Sequence, residues 1–209
     1  MSIDPAYRAV APDDFPAMIL PTRYAERSPD FEEIIARTEE HFWNPEDPDY
    51  IDYATPFPAG DTIVPTWFVL ESNTAVWDRL DEGQRIQLTN ESARWSLSNI
   101  LHGEQGALSL SASLCDIFLD PGAQEYAANQ AREEARHVHA FTRYMQARFG
   151  GAVFPIGDTL GTLLRELVAT PIVYKKIVGM QILVEGVAMG AFTTLYQIGQ
   201  DPLLRRVCQ

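Results

Sequence analysis

An all-α fold, a bundle of long antiparallel helices with an extended N-terminal arm, is predicted by three observations. After Asp81 the chain is punctuated by helix starts and stops at long intervals: Asp120-Pro121, Gly150-Gly151, Asp158, Thr170-Pro171 and Asp201-Pro202. Between these points apolar residues recur with the helical period of 3.6 rather than the strand period of 2. With 46% apolar residues, the 209-residue chain can bury a full core, while few stretches suggest strand pairing.

The arm covers 1–70 and the bundle 71–209. Within the arm, Ser28 and Pro29 are placed as N-cap and first position of a helix through FEEIIARTEEHFW, followed by the proline-bearing stretch HFWNPEDPDYIDYATPFPAGDTIVPTWF. So many aromatics argue for a segment packed across a helical body rather than a solvated linker. The bundle helices are expected at about 82–119, 121–149, 158–168 and 171–199, with a further one starting at Pro202.

A formal net charge of -13 and a pI near 4.6 repel phosphate backbones and anionic lipid, excluding nucleic acid and membrane surfaces as partners. The opening MSIDPAYRAV lacks the basic flank and apolar run of a signal peptide. Two cysteines, Cys115 and Cys208, suit a reducing compartment, so a cytoplasmic protein is expected.

Ionisable residues in apolar surroundings carry the functional signal. At 100° per residue Ala127, Ala131, Glu134, Val138, Phe141 and Met145 share one face of the second long helix, with His137 beside Glu134. An unpaired carboxylate in that stripe is costly, so a compensating partner is expected. Glu133 and His139, off the stripe, read as solvated. Glu104 is isolated in SLSNILHGEQGALSLSASL, and Glu185 is the one formal charge in IVGMQILVEGVAMGAFTTLYQIG. A membrane span is the rival reading of that last segment, opposed by its charged centre and amphipathic flanks. From Glu104 to the Asp120 turn is roughly 24 Å of helix, and from the turn back to Glu134 roughly 21 Å. A hairpin therefore sets both carboxylates at one depth. The same arithmetic puts a partner of Glu185 at about position 215 to 220, beyond Gln209.

A single Glu on one helix and Glu134-Ala135-Arg136-His137 on the next make half of the di-iron carboxylate pattern. Over about 82–209 the chain resembles the ferritin-like di-iron superfamily, in its branch of ribonucleotide reductase small subunits and related oxidases and oxygenases. The resemblance implies metal ligands at Glu104, Glu134, His137 and Glu185. It also implies two iron ions, or manganese and iron, dioxygen as co-substrate, an external electron donor and a homodimer. The second Glu-x-x-His of the family has no counterpart in these residues, so a fragment, or a last helix supplied by another chain, is expected.

Among activities, a radical generator for nucleotide reduction is disfavoured because Phe141 stands where many of those proteins carry a tyrosine. Val178-Gly179-Met180-Gln181 lacks the crosslinking tyrosine of a related ligand-binding oxidase. Gly103, Gly106, Ala107, Ser111, Gly186 and Ala188 admit two readings, room for an organic substrate or close helix packing. The expected function is a dioxygen-activating oxygenase acting on a small organic molecule, such as an aromatic amine, as in the related p-aminobenzoate N-oxygenase. Cys115 reads as a core thiol, and no glycine-rich phosphate loop occurs. Iron storage and a metal-free binding role are the alternatives.

Overall fold

The computed structural model describes residues 8–12 and 14–209, and its helical share supports an all-α fold: the described residues are 69% helical and include no strand. Residues 1–7, which hold most of the segment read as lacking a signal peptide, lie outside the described residues. In chain order the α-helices are α1 Phe15–Met18, α2 Glu32–Glu40, α3 Glu82–Cys115, α4 Pro121–Phe149, α5 Asp158–Ala169, α6 Val173–Lys176, α7 Glu185–Ile198 and α8 Pro202–Val207. A π-helix, Ile177–Val184, separates α6 from α7.

The helix ends form for local reasons. Asp81 and Gln84 make a reciprocal capping box at the start of α3: Gln84 N donates to Asp81 Oδ1 at 2.8 Å and Asp81 N to Gln84 Oε1 at 3.0 Å. Asp120 Oδ1 accepts from the backbone N–H groups of Gly122 and Ala123 at 2.7 and 3.2 Å, so α4 begins with its first donors satisfied. Past the end of α4 the backbone turns through Gly150 and Gly151 at φ +59 and +81, a region that favours glycine. Asp201 caps α8 by accepting from Leu203 N at 3.0 Å, with Pro202 at the first helical position. Ser28 accepts from Asp30 N, but the first turn there, Pro29–Phe31, is a 3-10 turn and α2 starts at Glu32.

Two expected helices differ in extent. The first ends at Cys115 instead of 119, because Ile117 O and Leu119 N are engaged by the backbone of Val10 and Arg8 around the isolated bridge Ala9↔Phe118. The helix expected at 171–199 starts at Val173 and is π-helical through its middle. Taken end to end, Val173–Ile198 spans 26 residues and contains an 18-residue stretch of mean hydropathy 1.4, long and apolar enough by those measures to cross a membrane. It exposes Val178, Ile182 and Leu183 before Glu185, and Val187 and Met189 after it.

The chain divides into two compact units. The first comprises Met1–Trp43, Gly103–His137 and Thr159–Val184. In it, residues 103–115 of α3 and 121–137 of α4 run antiparallel: Gln124 Nε2 donates to Cys115 O near the turn, and His137 meets Glu104 at the far end. Leu110, Leu114, Ala127 and Met180 are among its buried residues, and the arm adds Ala9, Val10 and Ile35. Lys176 is buried there too. Its ammonium donates to Val168 O near the end of α5, at 2.6 Å, and to Ser113 Oγ at 2.8 Å, and burial lowers its pKa.

The second unit comprises Asn44–His102, Val138–Asp158 and Glu185–Gln209. Its core holds Ile51, Ile63, Val64, Leu97, Phe141, Tyr144, Met145, Leu203 and Leu204. Asp201, fully buried, joins α4 to α8: it accepts from Tyr144 Oη at 2.9 Å and from Arg148 Nε and Nη2 at 2.6 and 2.9 Å. A bidentate guanidinium plus a phenol satisfies the carboxylate without water.

Candidate metal centre

Glu104 on α3 and Glu134 and His137 on α4 come together in the first unit, their ligand atoms all within 4.8 Å of one another. The three-residue spacing within α4 puts carboxylate and imidazole on one side of the helix, and the antiparallel hairpin brings Glu104 to their level. His137 Nδ1 lies 2.9 Å from Glu104 Oε2 and 3.2 Å from Glu134 Oε2. Both glutamates are 4% exposed.

The electrostatics follow from burial and mutual contact. Burial by itself would lower the pKa of His137, but hydrogen bonds to Glu104 and Glu134 and their charges overcome it and raise it to about 10. Burial raises the pKa of Glu104 despite its imidazole partner. For Glu134 burial acts in the same direction, yet hydrogen bonding and charge from His137, with help from Glu104 and Gln130, leave the pKa below its ordinary value. Without a metal the group is thus a compact ion cluster in which one protonated imidazole faces two carboxyl groups and offsets part of their charge.

Two neighbours were not legible as site residues. The Trp43 ring stacks on His137, with centroids 5.8 Å apart and planes 22° apart. Gln130, one turn before Glu134, donates Nε2 to Glu134 Oε1 at 3.4 Å, while its buried Oε1 has no hydrogen-bond partner. The i, i+4 spacing is a signal that could have found Gln130. Nothing local in the sequence could have found Trp43, which reaches His137 from the arm.

Glu185 is not a member of this cluster. It opens α7 in the second unit, as the first residue after the π-helix. Phe141 is buried and stacked on Phe192 at 5.6 Å. Glu133 pairs with Arg136 and Arg132, and exposed His139 with Glu46.

The two readings of the small residues divide by position. A Cβ at Gly106 would stand 2.8 Å from the Leu164 methyls, so this glycine serves close packing, whereas a Cβ at Gly103 or Gly186 would meet nothing within 4 Å. Ser111 is fully buried and its hydroxyl has no hydrogen-bond partner.

Two carboxylates and an imidazole could hold one divalent metal ion. The orphaned Gln130 oxygen beside Glu134 adds an unsatisfied donor atom to the same surroundings. A second ion would need ligands outside these three residues. Comparison with protein-family models, with curated proteins and with solved structures finds no match to this chain.

Proposed function

We propose that this chain is a metal-binding helical bundle of the ferritin-like kind, working as a dioxygen-activating oxidoreductase on a small organic substrate. The observation that supports it is the Glu104–Glu134–His137 cluster, two buried carboxylates and a part-exposed imidazole on two adjacent helices. A bound iron ion would supply the redox chemistry that activates dioxygen, with electrons from a separate donor. The residues of the chain do the rest. Glu104 and Glu134 hold the ion through carboxylate oxygens, and His137 binds through Nδ1, the ring atom that faces both carboxylates. Trp43 covers one face of the imidazole and limits water access to it.

A second reading, a structural ion cluster without metal, is favoured by the raised pKa of His137, since the protonated ring already offsets one carboxylate charge. One experiment separates them. The chain is stripped with chelator, incubated anaerobically with iron(II) or with manganese(II), desalted and analysed for metal. The oxidoreductase reading expects about one tightly held ion per chain, lost in Glu134→Gln and His137→Ala, and dioxygen uptake by the iron form. Background metal in all forms would leave the structural reading.

A further inference from the structure

The second unit contains a cavity of about 420 Å³, within the range of small-molecule sites, and none of the clustered ligands lines it. Val69, Leu97 and Leu195, all buried, form apolar lining. At its edge are two aromatic side chains that remain largely in solvent, Trp95 at 52% exposure and Phe68 at 40%. Exposed aromatics beside an apolar hollow mark a binding surface more often than scattered single residues do.

Its charge is one-sided. Glu71 and Glu91 are the charged residues of the lining, and no lysine, arginine or histidine is among them. Glu91 is already paired with Arg94 at 2.5 Å. Glu71, on the 3-10 turn Leu70–Asn73, forms no ion pair among the described residues. An apolar hollow with one unbalanced carboxylate and an indole at the rim is complementary to a ligand with an apolar body and a positive end: the carboxylate attracts the charge and the indole face can lie against it.

We propose that this cavity is a binding site for a small organic cation, an ammonium group carried on an apolar, aryl-sized body. Val69, Leu97 and Leu195 take the body, while Glu71 and Trp95 take the ammonium. The proposal is independent of the metal reading.

Calorimetric titration of the full chain with 2-phenylethylamine, 2-phenylethanol and phenylacetate tests it, because the three share a body and differ in end-group charge. The amine should bind roughly 5- to 10-fold more tightly than the alcohol, and phenylacetate more weakly still. Glu71→Gln should bring the amine down to the level of the alcohol. Glu39→Gln, which removes the same charge from an exposed position on α2, should leave the preference in place. Trp95→Phe should weaken the amine while keeping an aromatic wall. Equal affinities for all three probes, no binding at millimolar concentration, or an unchanged preference in Glu71→Gln would overturn the proposal. Amine binding that fades as the protein self-associates on concentration, followed by sedimentation, would also overturn it and assign the hollow to a second copy of the chain.

Discussion

Replacing Glu134 by glutamine tests the candidate metal centre through stability, without any assumption about substrate. The amide keeps the size of the side chain and removes its charge and one ligand. In the metal-free protein, His137 would exchange the charged carboxylate at 3.2 Å for a neutral amide and keep Glu104 at 2.9 Å. The cost should be that of a charge-assisted hydrogen bond, about 1.5–3 kcal/mol, and not the larger penalty of a buried charge left alone. Metal adds a second, opposite effect. At a free-ion concentration 100-fold above its dissociation constant, a ligand that binds only the folded state stabilises it by about 2.7 kcal/mol. At about 2–4 °C per kcal/mol for chains of this length, the unsubstituted protein should gain about 5–11 °C in Tm. If losing a ligand weakens binding 100-fold, the same concentration stabilises the variant by only about 0.4 kcal/mol, a shift of about 1 °C. Scanning calorimetry of both proteins, in chelator and in manganese(II), reads the four values. An equal metal shift in both proteins, or none in the unsubstituted one, would refute the assignment of Glu134 as a ligand.

Further outcomes can be checked on the metal-free chain. His137 has a folded pKa near 10 against an ordinary 6.5, so its stabilising contribution is complete below pH 6.5 and is lost as pH rises towards 10; urea midpoints should fall across that window, and His137→Gln should flatten the fall. Asp201→Ala should cost about 3–5 kcal/mol in urea unfolding, because it strands the buried Arg148 guanidinium and uncaps α8. A Cβ at Gly122 would sit 2.5 Å from the backbone oxygen of Ser28, so Gly122→Ala should destabilise by about 1–3 kcal/mol despite alanine's helix preference. Gly83→Ala, whose nearest neighbour is 3.5 Å away, should instead stabilise by about 0.5–1 kcal/mol.

What could be read from the sequence was whatever depends on local chemistry and period. Asp81, Asp120, Gly150 and Asp201 marked helix ends because each cap is made within a few residues of its own position. Glu104 and Glu134 could be matched in depth because a tight antiparallel turn converts residue counts directly into distance. The early end of α3 was hidden, since residues 116–119 are held by Arg8 and Val10, more than a hundred positions away in sequence. Trp43 was hidden for the same reason. Glu185 stood out as a lone charge in an apolar run, but the count of residues from the Asp201 turn put its partner beyond Gln209, so no partner for it could be read within these residues. Gly106 and Gly103, alike in sequence, differ only in whether Leu164 stands opposite.

Lys176 gives the chain an unusual chemical surface. Only two lysines occur among the 209 residues, Lys175 and Lys176, and the second has its ammonium taken by Val168 O and Ser113. Of the two lysines, amine-directed reagents therefore meet exposed Lys175, which makes it the natural lysine for attaching a fluorophore or a surface. Appearance of a second modified lysine would signal that the ends of α5 and α6 had come apart, a chemical clock for opening of the first unit.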